Sequence, residues 1–170
     1  MLNNKSLVIV GGTTGLGLSA AKAFINKGAR VVVVGRNEES CKNAEVVLGK
    51  SALAISGDAT DPNTAKRAID VCEENFHSFD GLYHVAGGSG RKMGDGPLHE
   101  ISIEGWNKTL ELNLTSLMLS NQAAIRRFLE LEKPGVVLNM GSVLGFSPSP
   151  GFFTTHAYAA AKSAIIGFTK

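Results

Sequence analysis

A glycine-rich turn at residues 11–17, Gly-Gly-Thr-Thr-Gly-Leu-Gly, constrains the fold of this chain more than any other stretch. The residues before it, Ser6–Val10, form a short apolar run that is typical of a strand buried on both faces. Residues 18–27, after the turn, have helical character, and Gly28 marks the end of that helix. The chain therefore opens with a strand, a tight turn and a helix, as an α/β fold does.

The glycines of this turn have separate roles if the turn binds a dinucleotide. Gly11 allows the tight turn, Gly15 removes a side chain where a pyrophosphate must approach, and Gly17 lets the helix pack against the strand. The first N–H groups of the helix then face the phosphates. A merely structural turn is the alternative, but its position between a buried strand and a helix favours nucleotide binding. The residues nominated here for cofactor binding are Gly11, Thr13, Gly15, Leu16 and Gly17.

The second strand, residues 30–34, contains four consecutive valines and is predicted to lie parallel to the first. A dinucleotide-binding fold that prefers NAD usually has an acid just past this strand, where it holds the ribose 2′-hydroxyl. Gly35 and Arg36 occupy that place here. The missing acid removes a repulsion and a guanidinium can clamp a 2′-phosphate, so the pair favours NADP(H). A solvated arginine at the edge of a loop is the alternative for Arg36.

Strands and helices alternate along the rest of the chain. Further strands are predicted at 52–56, 80–86 and 135–140, and further helices at 38–50, 63–76, 102–131 and from 156 onward. Loops broken by glycine or proline are predicted at 89–100 and 146–155. The alternation predicts one α/β domain, residues 1–170, with a doubly wound parallel sheet in the strand order 3-2-1-4-5.

Open α/β sheets bind ligands at the carboxyl ends of their strands. Asp58 lies at such an end, after the third strand. Asp61 is instead a candidate cap for the next helix, with Pro62 in its first turn. The ends of strands one, four and five are predicted to face one crevice. Its predicted lining includes Gly11, Gly87, Ser142 and Tyr158.

The last predicted helix contains a tyrosine and a lysine whose side chains are suited to acid–base chemistry. Residues 156–168 contain three consecutive alanines and no proline, which predicts a helix, and Tyr158 and Lys162 share one face of it. A nearby positive charge lowers the pKa of a phenol from its free value of about 10. A tyrosine tuned in this way transfers a proton near neutral pH. An ordinary helical surface pair is the alternative, and for this spacing alone it is the commoner case.

Asn113 lies inside the long predicted helix 102–131, between Leu112 and Leu114. Asparagine disfavours a helix interior because its side chain competes for backbone hydrogen bonds. Its presence between two leucines makes it a candidate site residue, and a surface asparagine is the alternative.

Composition excludes several classes of function. With 44% hydrophobic and 19% charged residues the chain has the composition of a globular domain, and a net charge of +2 without a basic cluster argues against nucleic acid. Cys41 and Cys72 have no metal-ligand spacing and no disulfide partner pattern, so we predict no metal site and a reducing compartment. No signal peptide or apolar run of membrane-spanning length is visible. We therefore expect a cytoplasmic protein without a membrane partner.

From end to end, the chain resembles the short-chain dehydrogenase/reductase family. The family motif Thr-Gly-x-x-x-Gly-x-Gly falls on residues 10–17, with Val10 in place of threonine, and its Asn-Asn-Ala-Gly segment falls on residues 84–87, where His84 and Val85 replace both asparagines. The catalytic tetrad of the family falls on Asn113, Ser142, Tyr158 and Lys162. The resemblance places further cofactor contacts on Asp58, Ala59, Ala86, Gly87, Tyr158 and Lys162.

The resemblance implies a Rossmann-like fold, hydride transfer between a nicotinamide cofactor and a carbonyl or secondary alcohol, and a homo-oligomer, either a dimer or a tetramer. Tyr158 would exchange a proton with the substrate oxygen, Ser142 would polarise it, and Lys162 would lower the Tyr158 pKa and bind the nicotinamide ribose. Asn113 would hold a water that links Lys162 to solvent. Family members continue with two further strands and a substrate loop, so we expect the chain to be incomplete after Lys170, and a protein that ends there to turn over little.

A non-catalytic module that binds NADP(H) is the alternative function. The altered segment at His84 and Val85 and the missing strands favour it, whereas the complete tetrad disfavours it, because a binding module does not need a tuned phenol.

Overall fold

A computed structural model describes residues 2–147 and 151–170 of the chain. Five parallel strands form one sheet in the order β3-β2-β1-β4-β5, which confirms the predicted topology. The strands are β1 (Ser6–Val10), β2 (Arg30–Gly35), β3 (Ala52–Ser56), β4 (Gly81–His84) and β5 (Val136–Asn139). The helices are α1 (Gly15–Ile25), α2 (Glu38–Leu48), α3 (Thr64–Phe76), α4 (Ile103–Leu110), α5 (Ser116–Glu130) and α6 (His156–Thr169).

The central strands are buried on both faces, as their unbroken apolar sequences predict. On one face, Ile9, Val31 and Val33 pack against α1 and α2. On the other face, alternate residues of the same strands, with Val8 and Val32 among them, pack against α3 and α5, where the rings of Phe79 and Phe128 stack 4.8 Å apart. The two layers fix the sheet and leave the carboxyl ends of its strands free for a site.

The strand β5 lies at the edge of the sheet and pairs with β4 from Gly81↔Val136 to His84↔Asn139. Its side chains alternate between the two faces. Val137 packs into the layer beneath α5, whereas Val136 and Leu138 are 68% and 49% exposed on the opposite face. An apolar groove of about 450 Å³, lined by Leu7, Phe24 and Tyr83 among others, runs beside them.

The predicted helix 102–131 has three parts. It begins at Ser102, whose hydroxyl accepts a hydrogen bond from the backbone N–H of Gly105, as expected of a cap. Between α4 and α5 the backbone forms a π-helical segment, Glu111–Thr115, which contains Asn113. A π-helical segment inside an α-helix often marks a functional site.

The start of α1 and the capping of α3 also differ from the predictions. The helix α1 begins at Gly15 rather than at residue 18, because the Leu18 backbone N–H already donates a helical hydrogen bond of 3.1 Å to the Thr14 carbonyl. Asp61 does not cap α3 directly, because Asn63 is the N-cap, and Asp61 accepts a hydrogen bond from the Asn63 backbone N–H instead. Pro62 therefore precedes the helix rather than opening it.

The predicted loop 146–155 falls partly on residues 148–150, which lie outside the described residues. Within the part of the chain that the structure describes, no helix is both long and apolar enough to cross a membrane. The same residues contain no group of three or more His, Cys, Asp or Glu side chains placed to hold a metal ion.

Candidate active site

The turn after β1 and the carboxyl ends of β2, β3 and β4 enclose a cleft of about 330 Å³, which we call the dinucleotide cleft. The structure places every nominated cofactor residue outside α6 on its wall. These residues are Gly11, Thr13, Gly15, Leu16, Gly17, Arg36, Asp58, Ala59, Ala86 and Gly87. They come from four loops that are distant in sequence, and the strand order alone brings them together.

The turn itself has the shape that a bound phosphate requires. Gly11 has φ of +87°, and a Cβ there would lie 2.6 Å from the backbone nitrogen of Ala86, so only glycine fits. A Cβ on Gly17 would lie 2.8 Å from the carbonyl carbon of Gly11, so this glycine lets α1 pack against the turn. The first turn of α1 lines the cleft, and the side chain of its N-cap, Thr14, makes no capping hydrogen bond. Helix N–H groups in that position suit an anion.

Two opposite charges line the dinucleotide cleft at the ends of β2 and β3. Arg36 and Asp58 both line it and both are exposed. The pKa of Asp58 is lowered, chiefly because its Oδ1 accepts a hydrogen bond of 2.9 Å from the Thr60 backbone N–H, and the charge of Arg36 contributes less. Asp58 is therefore a fixed carboxylate, a hydrogen-bond acceptor at neutral pH.

A second cavity of about 350 Å³, the substrate cavity, holds two of the nominated catalytic side chains. Ser142 and Tyr158 line it together with Ser89, Arg91 and Phe153. Ser142 follows β5 and accepts a hydrogen bond of 3.2 Å from the Leu144 backbone N–H, which leaves its hydroxyl proton to donate elsewhere. A serine donor and a tyrosine on one cavity wall is the arrangement needed to polarise and protonate a carbonyl oxygen.

Lys162 lies beneath the tyrosine. Its side chain is buried, its Nζ donates a hydrogen bond of 2.8 Å to the Met140 carbonyl, and the same Nζ is 5.6 Å from the centre of the Tyr158 ring. Burial lowers the pKa of the ammonium group. A Cβ on Gly87, in the dinucleotide cleft, would lie 3.7 Å from Lys162 Nζ, so the lysine reaches both the cleft and the tyrosine.

Asn113 is fully buried, which rules out the surface alternative. Its Nδ2 donates to the carbonyls of Gly88 and Thr109, both at 2.9 Å, and its Oδ1 accepts from the Gly88 backbone N–H at 3.0 Å. Both amide protons are therefore engaged within the protein. The side chain links the π-helical segment to the loop after β4 by hydrogen bonds. The predicted water would therefore have to be bound by other atoms of Asn113.

A model of the family "short chain dehydrogenase" matches residues 5–170. The chain belongs to the short-chain dehydrogenase family. This membership accounts for the placement of a Ser-Tyr-Lys set beside a glycine-rich cleft, and it confirms the resemblance drawn from the motifs.

Short-chain dehydrogenases of several bacteria are similar to this chain. The "2,5-dichloro-2,5-cyclohexadiene-1,4-diol dehydrogenase LinX" of Sphingobium indicum is 36% identical over 167 residues, which are 96% of this chain and 64% of the relative. The "2-(S)-hydroxypropyl-CoM dehydrogenase 3" of Xanthobacter autotrophicus is 31% identical over 99% of this chain and 64% of the relative. A crystal structure of a Bacillus anthracis short chain dehydrogenase superposes with a TM-score of 0.87 at 27% identity, over 98% of this chain and 65% of that one. The chain thus spans just under two thirds of these proteins.

His84 replaces the first asparagine of the family segment in this chain. Its Nε2 lies 3.1 Å from the Ala86 carbonyl, and its Nδ1 lies 3.0 Å from the Ser120 hydroxyl on α5. A carbonyl only accepts, so Nε2 carries the proton and Nδ1 accepts from Ser120. Burial, with a smaller contribution from the charge of Lys162, lowers the pKa of His84 to about 4. A neutral imidazole therefore ties the end of β4 to α5.

Asp95 is a site residue that the sequence analysis missed. It comes from the glycine-rich loop 89–100, and its buried carboxylate accepts hydrogen bonds from the backbone N–H groups of Ala157 and Tyr158, each at 3.0 Å. The only sequence signal was an aspartate between two glycines, which is equally typical of a plain turn.

Proposed function

We propose that the chain forms the catalytic part of an NADP(H)-dependent oxidoreductase that interconverts a carbonyl compound and a secondary alcohol. The observation that supports this most is the position of Lys162 Nζ, 5.6 Å from the Tyr158 ring and close to Gly87 of the dinucleotide cleft. A lysine buried between a phenol and a nucleotide cleft is costly unless its charge is used there.

Three features of the dinucleotide cleft support the binding of NADP(H). Gly11 and Gly17 keep its floor free of side chains, the uncapped start of α1 suits the pyrophosphate, and Asp58 is an acceptor for the adenine amino group. When bound, the nicotinamide supplies the hydride for carbonyl reduction or accepts it in alcohol oxidation. The remaining steps are proton transfers and belong to side chains of this chain.

In the direction of reduction, Tyr158 Oη gives its proton to the substrate oxygen as that oxygen gains charge, and in oxidation it takes the proton back. Ser142 donates a hydrogen bond to the same oxygen and polarises the carbonyl. Lys162 Nζ lies 5.6 Å from the centre of the Tyr158 ring and beside Gly87 of the dinucleotide cleft, where it can bind a ribose hydroxyl. Asn113 holds Gly88 and, through it, the loop that separates the dinucleotide cleft from the substrate cavity.

The preference for NADP(H) rests on Arg36 and Gly35. Arg36 lies on the cleft wall where a 2′-phosphate would sit, and no acid at position 35 competes with that phosphate. The substrate class rests on the relatives, since the names of LinX and of the Xanthobacter protein describe dehydrogenases of hydroxyl compounds.

The test is cofactor binding and turnover with a panel of ketones and secondary alcohols. Fluorescence titration should show tighter binding of NADPH than of NADH, and NADPH should be oxidised only when a carbonyl compound is present. Binding of NADPH without turnover of any carbonyl or alcohol, in this chain and in a version extended to the length of its relatives, would favour the non-catalytic binding module.

A further inference from the structure

The start of α6, the helix that carries Tyr158 and Lys162, is held by a distant loop rather than by its own neighbours. The N-cap residue, Thr155, makes no side-chain capping hydrogen bond. Instead, Asp95 Oδ1 accepts from the Ala157 N–H and Asp95 Oδ2 from the Tyr158 N–H, both at 3.0 Å. The Gly96 carbonyl accepts from the His156 N–H at 3.4 Å. The first three N–H groups of α6 are therefore bound by residues 95 and 96.

The loop that carries Asp95 is itself fixed in place. Gly94 has φ of +98°, and a Cβ there would lie 2.6 Å from the Ser102 hydroxyl oxygen, so the loop packs closely on the start of α4. The Asp95 backbone N–H donates to the Gly90 carbonyl at 3.0 Å. Asp95 is only 5% exposed. The carboxylate is thus buried and aimed by a rigid turn, and α4 behind it sets where α6 begins.

The two oxygens of Asp95 bond to the backbone of the catalytic tyrosine and of the residue before it. Such charge-assisted hydrogen bonds are short and directional, and the positive end of the helix adds to them. Any displacement of these two peptide groups moves the phenol of Tyr158 relative to Ser142, which lines the same cavity. Catalytic groups tolerate displacements of only about 0.5 Å.

We propose that Asp95 is a positioning residue of this active site, whose carboxylate holds the backbone of Tyr158 so that the phenol faces Ser142 and the substrate oxygen. The inference rests on the proposed function, since Tyr158 is taken as the acid. It differs from a purely stabilising cap in its consequence: loss of the carboxylate lowers turnover in molecules that remain folded.

The test compares Asp95→Ala, which removes both acceptors, and Asp95→Asn, which keeps one, with Asp61→Ala. Asp61 accepts the Asn63 backbone N–H at 2.9 Å just before α3, so its loss removes a contact between a carboxylate and the backbone away from the substrate cavity. We expect Asp95→Ala to lower kcat by about tenfold to a hundredfold, as misplaced catalytic groups do. Asp95→Asn should lower kcat less. Asp61→Ala should leave kcat unchanged, and all three should bind NADPH as the parent does.

A spectroscopic readout decides the inference even if no substrate is turned over. In protein labelled with ¹³C-tyrosine, Asp95→Ala should shift or broaden the ring signals of Tyr158 and leave those of Tyr83 unchanged, while Asp61→Ala changes neither. Failure of the parent to turn over any substrate counts against the proposed function alone. Unchanged Tyr158 signals, or an unchanged kcat in a folded but less heat-stable Asp95→Ala protein, would reduce Asp95 to an ordinary helix cap.

Discussion

The side chain of Thr13 fills the space into which any side chain at Gly35 would project: a Cβ on Gly35 would lie 2.7 Å from Thr13 Cγ2. The acid that holds a ribose 2′-hydroxyl in NAD-preferring folds would begin at this position. The glycine-rich turn and the end of β2 are therefore matched to each other, and Arg36, one residue further, contributes its charged side chain to the wall of the dinucleotide cleft.

Replacement of Arg36 by Ala should weaken NADPH binding and leave NADH binding nearly unchanged. A hydrogen bond to a charged group contributes about 1.5–3 kcal/mol, so the expected loss is about tenfold to a hundredfold in Kd. Fluorescence titration of the variant and the parent with NADPH and with NADH measures the change in each Kd. Arg126→Ala, on the outer side of α5, is the matched control and should change neither affinity. Equal affinities of the unmodified chain for NADPH and NADH would contradict the assignment.

Replacement of Tyr158 by Phe should abolish most turnover while NADPH still binds, because only the exchangeable proton is lost. The second tyrosine provides a matched control. The hydroxyl of Tyr83 lies 3.9 Å from the Met140 sulfur, on a different surface, so Tyr83→Phe should remain active. Steady-state reduction of a carbonyl substrate compares the two variants. Full activity in Tyr158→Phe would exclude Tyr158 as the acid.

His84 should make the chain less stable in mild acid. Its pKa is about 4 when folded and about 6.5 when unfolded, so between these values only the unfolded state takes up the proton. Stability is therefore lost as the pH falls below about 6.5, by about 2 kcal/mol at a pH near 5. The free energy of unfolding, measured with urea across this pH range, should depend less on pH for His84→Asn than for the parent. The exposed His99→Asn is the control, and it should retain the slope of the parent.

Gly11→Ala should destabilise the chain and prevent NADPH binding. The backbone conformation at Gly11 costs other residues about 1–3 kcal/mol, and the added Cβ would also meet Ala86. Gly167→Ala serves as the control, because a Cβ there meets nothing within 4 Å and alanine favours the helix by about 0.5–1 kcal/mol. The free energy of unfolding, measured with urea, should therefore fall for Gly11→Ala and rise for Gly167→Ala.

The strands were predictable because each is marked locally by an apolar run that ends at glycine or a polar residue. Four valines in β2, for instance, allow no amphipathic element, and the glycines on either side fix its length. Strand order followed from the right-handed crossover rule rather than from any residue. The nominated site residues could be gathered on one edge of the sheet for the same reason.

The parts that were not predictable depend on partners far apart in sequence. Asp95 meets α6 across more than sixty residues, and nothing beside it in the chain indicates that contact. His84 was visible only as a departure from a family segment, although Ser116 and Ser120, spaced four apart, were the polar face that receives it. The π-helical segment is marked in the sequence only by Asn113, which disfavours a helix interior but does not by itself indicate a π-turn.

The π-helical segment changes the direction in which side chains point along the continuous helix of residues 103–130. A π-turn holds one residue more than an α-turn, and one residue corresponds to about 100° of rotation about the helix axis. The side chains before Glu111 and after Thr115 therefore follow two different angular phases. With the first phase, α4 faces the loop of Asp95 and α6; with the second, α5 faces the sheet and α3. The extra residue of the π-turn thus lets one continuous helix pack against two sets of neighbours, and Asn113 lies in the middle of the segment where the phase changes.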